Sequence, residues 1–350
     1  MGGKAFSNDL PSDSFPRIPS RLYQDLKDRL TPLLRTIYTL VEVPPEAPGK
    51  TDHGDIDFVV AQPIHVNDTN MAAKVGQVLG AVKSVEMDGN RTSNYALELN
   101  QEDCVLLASD GLQDPLSIQK IYLQVDVRVC LDAEEWELLK VMHGYGDLGI
   151  IIASIARYHN LVLGTKGLKV PSPPPDPPIY LSKSPHAIME FMGLSMDRWK
   201  EGFTTVEETF IFASRSRFFD PRRIRKSQQH SFTKSVEERA MYHAFTRWAQ
   251  SQSPASYCLE AKREAVEEAL VYFGKKDEWD AATFARDKRM WLKSNFNGKL
   301  VAEWTGLGWR GVKAVMDRVR ASAGGEDGLY GRPLQDVRDL VLESKSALDL

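Results

Sequence analysis

The chain has 350 residues, of which 42% are hydrophobic and 26% are charged, a composition typical of a folded protein with room for two domains. It contains no apolar run long enough to span a membrane and no leader in which a charged segment precedes an apolar one, so we expect neither a secreted nor a membrane protein. Its 3 cysteines are widely spaced, which predicts reduced thiols in an intracellular protein, cytoplasmic or nuclear.

Charge is distributed unevenly along the chain. Residues 1–170 carry 16 basic and 23 acidic side chains, whereas residues 171–350 carry 28 and 25. An acidic first half favours the binding of cations. The mildly basic second half can guide a polyanion, although so small an excess does not by itself indicate nucleic-acid binding.

The first half alternates helical and extended patterns. Residues 1–18 are polar and contain proline, which predicts a flexible arm. Apolar residues then recur at helical spacing over 20–40 and again over 70–85. The strands and apolar segments predicted around these helices cover 55–60, 94–99, 104–108 and 121–129, with a polar turn at 88–90.

Two aspartates follow a glycine at the start of the first strand, in the sequence His53-Gly54-Asp55-Ile56-Asp57-Phe58-Val59-Val60. Successive side chains of a strand alternate between faces, so Asp55 and Asp57 point the same way. A third carboxylate, Asp126, lies in the middle of the strand predicted over 121–129. Its burial requires a partner, either Arg128 on the same face or a metal shared with the aspartate pair.

Carboxylate oxygens are ligands that suit Mg²⁺ or Mn²⁺. We therefore predict a metal site formed by Asp55, Asp57 and Asp126. The 7 histidines are scattered and none pairs with a cysteine at the spacing of a zinc site, so no other metal is predicted. The competing interpretation is a surface turn, because an aspartate pair beside a glycine is common in turns.

The segments Gly54-Asp55-Ile56-Asp57 and Gln124-Val125-Asp126 resemble the DNA polymerase beta nucleotidyltransferase superfamily, and most closely the predicted nucleotidyltransferases of fungi and large phages. Segments similar to residues 2–5, 296–298 and 303–307 also tend to occur in that group. The resemblance implies an α+β fold, in which a polymerase-beta-like nucleotidyltransferase domain with a small mixed β-sheet precedes a mainly helical C-terminal domain.

The resemblance also implies a reaction. Asp55 and Asp57 would hold two Mg²⁺ ions around the triphosphate of an NTP donor, and Asp126 would promote deprotonation of the attacking hydroxyl. A nucleoside monophosphate would pass to a hydroxyl acceptor such as an RNA end, a protein or a small molecule. The alternatives are a catalytically inactive nucleotidyltransferase-fold protein that binds RNA or a protein partner, and a structural domain stabilised by metal.

Donor binding departs from the superfamily pattern. The superfamily usually places a Gly-Ser turn before the aspartate pair, where it holds the donor's phosphates. Residues 41–53 contain no Gly-Ser. The residues available to bind the donor are Gly54, Lys50, which supplies charge, and Thr51, which supplies a hydroxyl. The missing turn favours the inactive alternative.

Proline marks the predicted domain boundary. The nucleotidyltransferase-like domain is predicted over 19–170 and ends in a helix over 146–158. Residues 171–178 are proline-rich, which predicts a linker or, alternatively, a ligand for a proline-recognition domain. A helical domain over 179–350 would then present the acceptor. Its predicted helices cover 189–199, 206–213, 236–249, 261–273 and 281–292.

Further segments have both a functional and a structural interpretation. His143 and Tyr145 can reach the mouth of a site, and the turn 164–167 offers a hydroxyl and a cation, but both features are commoner in structural roles. Basic side chains accompany aromatic ones over 215–226 and again over 299–320. Such clusters bind phosphate backbones in some proteins and only close helix ends in others.

Overall fold

The computed structural model describes residues 4–65, 70–87, 91–109, 120–226, 239–252 and 262–350. The chain divides into two compact units. The first comprises residues 1–171 and 180–273, and the second comprises residues 172–179 and 274–350.

The first unit is built around a mixed sheet. The strands in the described ranges are β1 (Ile18–Pro19), β2 (Tyr38–Glu42), β3 (Asp52–His53), β4 (Asp55–Pro63), β5 (Lys83–Glu86), β6 (Thr92–Glu98), β7 (Tyr122–Val129), β8 (Val162–Gly164), β9 (Gly167–Val170) and β10 (Ile179–Ser182). Five of them form one sheet in the order β2-β4-β7-β6-β5. Within it β4 and β7 are parallel, and the other neighbours are antiparallel. The predicted α+β class with a mixed sheet is confirmed.

The first unit also contains many helices. In the described part of the first unit they are Ser20–Leu34, Met71–Leu79, Gln101–Ser109, Ala133–His143, Leu148–Arg157, Pro185–Phe191, Met196–Glu201, Val206–Ser214, Pro221–Lys226, Ala240–Ser251 and Lys262–Tyr272. The Asn70 side chain caps one of them by accepting a hydrogen bond of 2.9 Å from the Ala73 amide.

Two predicted helices are shorter than expected. The first ends at Leu34, and the β-branched and aromatic residues that follow it form β2 instead. The second ends at Leu79, because Gly80 adopts a left-handed conformation with φ of 67° that closes the helix. The sequence 83–86 then becomes the edge strand β5.

The two faces of the sheet differ in chemistry. One face is buried in the main core, which includes Ile56, Phe58, Val60, Val125 and Val127. The other face is apolar only at its ends. Phe6 and Phe15 pack on Ala96 and Tyr122 at one end, and Leu139 and Cys130 pack with Val59 and Ala61 at the other. Between these clusters lies a polar strip.

The N-terminal segment is part of this core, and the prediction of a flexible arm over 1–18 is wrong for its described residues. Phe6 is fully buried, and its ring stacks on Phe15 with 5.7 Å between ring centroids. Ile18 pairs with His53 through β1 and β3. Phe6 and Phe15 do not recur at helical or strand spacing, so the sequence pattern did not predict their burial. That burial stabilises the segment.

Replacing Phe6 with alanine is expected to lower the free energy of unfolding by about 3 kcal/mol, since it empties a buried aromatic site. Urea unfolding followed by far-UV circular dichroism measures this change. The matched control is Leu131→Ala, whose side chain is 72% exposed and whose removal should matter little. Equal stability of the two variants would restore the interpretation of a loose arm.

The first unit extends beyond the predicted boundary at 179. The helix Leu148–Arg157 buries Ile151, Ile152 and Ile155 and contacts the helices Val206–Ser214 and Ala240–Ser251. Burial of this apolar helix therefore joins residues 180–273 to the sheet unit. Proline content gave no information about these contacts, because they form between segments that are distant in sequence.

The second unit is helical. Its helices are Lys276–Asn295, Gly298–Thr305, Trp309–Ala323, Glu326–Leu329 and Leu334–Ser346. They share an apolar core whose fully buried members include Val301, Val315 and Val319. The proline-rich segment, predicted as a linker, groups with this unit, where Asp176 forms an ion pair of 2.6 Å with Arg289.

Cys104 and Cys130 are free thiols, as expected, whereas Cys258 lies outside the described residues.

Over the described ranges, no one helix has the length and apolar character needed to span a membrane. The helices Ala133–His143 and Leu148–Arg157 satisfy that requirement only together, as a pair bent by 97°.

Candidate active site

Three aspartates lie on the polar strip of the sheet. Asp57 on β4 is directly opposite Asp126 on β7 in the parallel pair. Asp55 precedes Asp57 by two residues and therefore leaves the same face. Because paired strands are only about 4.8 Å apart, these carboxylates influence one another strongly. The structure thus brings the three predicted aspartates together.

Burial and neighbouring charges both affect the protonation of Asp57. Loss of hydration, followed by the negative charges of Asp55, Asp126 and Glu46, raises the pKa of Asp57 to about 7. The side chain nevertheless remains accessible to solvent. A carboxylate whose pKa is raised in this way is a candidate for a functional site.

Amide groups surround Asp126. Gln124, two residues earlier on the same face, donates a hydrogen bond of 2.8 Å to its Oδ1. Asn94 lies directly across on β6, and its amide, oriented to donate, places Nδ2 2.8 Å from Oδ1 and 3.3 Å from Oδ2. Loss of hydration raises the pKa of Asp126 to about 6, although the bond from Gln124 opposes the rise.

The sequence did not identify these amides, although the alternation of strand side chains places Gln124 on the same face as Asp126. The predicted alternative partner, Arg128, donates instead to Thr92 Oγ1 at 3.3 Å. Neutral amides therefore satisfy the carboxylate without cancelling its charge, which leaves Asp126 able to attract a cation.

A further acidic residue near the site, Glu46, lies in a loop where the sequence pattern did not predict a functional residue. Tyr23 donates a hydrogen bond of 2.6 Å to Glu46, Lys50 forms an ion pair with it, and His53 Nδ1 lies 3.7 Å from its carboxylate. The Tyr23 and His53 rings stack with 3.7 Å between centroids. Loss of hydration raises the pKa of Glu46, but these three partners outweigh it and lower the value to about 2.

The residues predicted to bind the donor differ in their positions. The Lys50 ammonium forms an ion pair with Glu46, and its positive charge lowers the pKa of Asp57. Gly54 is buried between β3 and β4. Thr51 is exposed, and its backbone carbonyl accepts a hydrogen bond of 3.2 Å from the Ser20 amide.

The donor set suits a hard cation. It consists of carboxylate oxygens, which are typical Mg²⁺ ligands. Across the part of the chain that the structure describes, no three His, Cys, Asp or Glu side chains are arranged to hold a metal ion as they stand. The three carboxylates suit Mg²⁺ by their chemistry, and the strand register places them on one face of the sheet.

Other predicted groups have structural roles or lie elsewhere. The Tyr145 hydroxyl donates to the Trp199 carbonyl at 3.1 Å, and its ring packs between Trp199 and Phe203. The turn 164–167 joins β8 to β9 in a hairpin. His143 is exposed at the end of its helix.

Some members of the two basic clusters form ion pairs. Arg222 and Arg223 contact Asp220 at 3.0 and 3.5 Å, and Phe218 and Phe219 are buried. Arg217 contacts Glu268 at 2.6 Å. In the second unit, Arg320 contacts Asp317 and Glu326, each at 3.4 Å. The structural interpretation accounts for these residues, while the side chains of 225 and 226 lie outside the described set.

No protein-family model matches this chain, and no curated protein matches its sequence. Membership of the polymerase beta superfamily therefore stays a prediction, and any functional conclusion rests on the carboxylates and their surroundings.

Proposed function

We propose that the protein is a metal-dependent nucleotidyltransferase that moves a nucleoside monophosphate from an NTP to a hydroxyl acceptor, with an RNA end as one candidate. The observation that carries this proposal is the register of the parallel strands, which sets Asp57 opposite Asp126 with Asp55 on the same face. Mutual repulsion among these groups serves no structural purpose, because it opposes folding.

Asp55, Asp57 and Asp126 would hold Mg²⁺, which supplies positive charge for a triphosphate and for the attacking oxygen. With a pKa of about 6, Asp126 is mainly ionised at neutral pH and can accept the proton of the acceptor hydroxyl. That oxygen bonds to the α-phosphorus, the bond from phosphorus to the β-bridging oxygen breaks, and pyrophosphate leaves with the electron pair.

Lys50 supports the same reaction. Its ammonium lies close enough to Asp57 to lower the pKa of that group, and Glu46 restrains it there. A restrained cation beside the carboxylates can contact the donor's phosphates, which compensates in part for the missing Gly-Ser turn. Thr51 is exposed and follows Lys50 in sequence, so it remains a proposed donor contact, whereas Gly54 is buried.

The test measures label from each of the four α-³²P-labelled nucleoside triphosphates. Acid-insoluble and small-molecule products are counted with Mg²⁺ or Mn²⁺ and total RNA, for the wild type and for Asp55→Ala/Asp57→Ala. Incorporation that disappears in the double variant supports the proposal and names the base. If the wild type transfers no label and no nucleotide shifts its melting temperature, the enzyme proposal fails.

A second candidate is a catalytically inactive protein of this fold that binds RNA or a protein partner. The observation in its favour is that Gln124 and Asn94 already satisfy the Asp126 carboxylate. Under this alternative, RNA or a partner protein binds the wild type and the Asp55→Ala/Asp57→Ala variant equally, and no label is transferred by either.

A further inference from the structure

Trp309 is a large aromatic side chain that the second unit leaves in water. It begins the helix Trp309–Ala323 and is 74% exposed, whereas Val312, Val315 and Val319 of the same helix are buried in the core. Trp309 therefore contributes little to that core. Single exposed apolar residues are common on protein surfaces, so the chemistry around this ring decides whether it has a function.

An open groove of about 510 Å³ lies beside this ring, and Trp309 is part of its lining. The groove volume is within the range of sites that hold small organic groups, about 300 to 1,000 Å³. The other apolar residues of the lining are Leu307, Val312 and Met316, together with the small residues Gly298 and Ala302. An exposed indole ring above an apolar groove suits a flat group such as a nucleobase.

One face of the helix supplies much of this groove. Trp309, Lys313, Met316 and Arg320 follow one another at intervals of four, three and four residues, which places them on the same side of an α-helix. All four line the groove. Arg320 is shared between Asp317 and Glu326, each at 3.4 Å, so its charge is already balanced.

Two other cations remain available near the ring. Arg310 and Lys313 are exposed, and neither forms an ion pair within the part of the chain that the structure describes. The Arg310 guanidinium lies 5.5 Å from the centroid of the Trp309 ring, in a cation–π contact. Gly308 precedes this helix and supplies no side-chain cap, so the first-turn amides add partial positive charge. Positive charge therefore lies next to the apolar groove.

We propose that this groove binds a single strand of RNA, with a base stacked on Trp309 and the neighbouring phosphates held by Arg310 and Lys313. Proteins bind single strands through this combination of aromatic stacking and basic side chains. A base inside a duplex cannot present its face to the ring, so the strand must be unpaired. Binding follows from the groove itself, whereas the choice of RNA over DNA rests on the proposed function, in which an RNA end is a candidate acceptor.

An acidic peptide is the competing occupant. A peptide helix needs an apolar groove long enough to receive anchors at i, i+4 and i+7. Apart from Trp309, the described lining of this groove offers only Leu307, Val312 and Met316 as apolar side chains larger than alanine. The exposed ring and the two available cations are therefore better matched by a base and its phosphates.

The test is fluorescence anisotropy of a labelled single-stranded RNA of about 12 nucleotides, titrated with the full chain in EDTA at low salt. Trp309→Ala should weaken binding about tenfold, because the stacking surface is lost. Trp309→Phe retains an aromatic ring and should restore most of the affinity. Lys313→Gln should weaken binding severalfold and make it less dependent on salt, because fewer counterions are released.

Arg318→Gln is the matched control. Arg318 is exposed on the same helix but follows Lys313 by five residues, so it points about 140° away around the helix axis. Its replacement should change binding by less than about twofold. Trp309, Lys313 and Arg318 are all exposed, so the melting temperatures of these variants should match that of the wild type.

The proposal is overturned if the RNA does not bind the wild type, or if Trp309→Ala and Lys313→Gln bind it as tightly as Arg318→Gln. Equal binding of the same strand paired with its complement would also contradict it, and preferential binding of a DNA strand would contradict the choice of RNA. A glutamate-rich peptide that binds with the same dependence on Trp309, while RNA does not, would assign the groove to a protein partner.

Failure of the proposed function gives a different result. In that case RNA binding remains sensitive to Trp309 and Lys313, while the wild type transfers no label from any nucleoside triphosphate. Conversely, transfer by a wild type whose RNA binding is insensitive to both residues would retain the proposed function and remove only the groove from it.

Discussion

Replacing Asp57 with asparagine is expected to abolish nucleotidyl transfer and to stabilise the metal-free fold. Transfer should fall by at least about a thousandfold, because the variant loses a central carboxylate of the proposed cation site. Stability should increase because Asp57 lies opposite Asp126 and beside Asp55, and asparagine removes the repulsion between them. A residue retained for folding alone would show the opposite change in stability.

The pH dependence follows from the direction of the pKa shift. The pKa of Asp57 is raised from 3.8 to about 7 in the folded state. The folded protein therefore binds more protons than the unfolded chain between these values, so its stability falls as the pH rises through this window. Asp57→Asn should remove most of this loss and gain about 1 to 2 kcal/mol at pH 8, a value reduced for solvent screening.

Urea unfolding at pH 5 and pH 8 without metal measures this effect, and the α-³²P assay measures transfer. The matched control is Asp28→Asn, on an exposed helix surface where the carboxylate accepts only a hydrogen bond of 2.8 Å from Gln24 among the described contacts. Mg²⁺ should raise the melting temperature of the wild type but not of Asp57→Asn. A variant less stable than wild type at pH 8 would contradict the repulsion argument.

The aspartates could be predicted because strand alternation is a local property. Asp55 and Asp57 share a face in any extended chain, and an acid in the middle of a β-branched run requires a partner. Their mutual arrangement could not be predicted in the same way. The parallel pairing that sets Asp57 opposite Asp126 joins residues far apart in sequence, and local patterns do not specify register between such strands.

The residues around the aspartates could not be predicted from local sequence patterns either. Glu46 lies in a proline-containing loop with no periodicity, and only the fold brings Tyr23 and His53 onto its carboxylate. Phe6 lies in a polar segment whose composition predicted a loose arm. Its ring is nevertheless buried, and the burial of one aromatic ring is enough to pack such a segment against the core. Local composition therefore misjudged both the arm and the end of the first unit.

Glu46→Gln is expected to weaken both the fold and the reaction, with the larger effect on stability. Glutamine retains an acceptor for Tyr23 but loses the charge that holds Lys50. Loss of a charge-assisted interaction at a half-buried site should lower the free energy of unfolding by about 2 kcal/mol at neutral pH. Glu46 does not join the carboxylate group on the sheet, so it acts as a positioning residue.

The effect on the reaction should appear in donor binding. With Glu46 neutral, Lys50 is no longer restrained beside Asp57, so the KM for the NTP should rise about tenfold while kcat changes less. Asp57→Asn, in contrast, should eliminate kcat. A Glu46→Gln enzyme that loses kcat with an unchanged KM would instead assign Glu46 a direct role in the chemistry.

The pH dependence of Glu46→Gln has the opposite sign to that of Asp57→Asn. Because the folded pKa of Glu46 is lowered from 4.5 to about 2, its contribution to stability is complete above the higher value and is lost as the pH falls toward the lower one. The difference between wild type and Glu46→Gln in urea unfolding should therefore shrink as the pH falls through that range. Glu42→Gln is the matched control, because its carboxylate is half exposed and 4.0 Å from Lys140. If its stability falls as much as that of Glu46→Gln, the contacts of Glu46 with Tyr23, Lys50 and His53 do not stabilise the site.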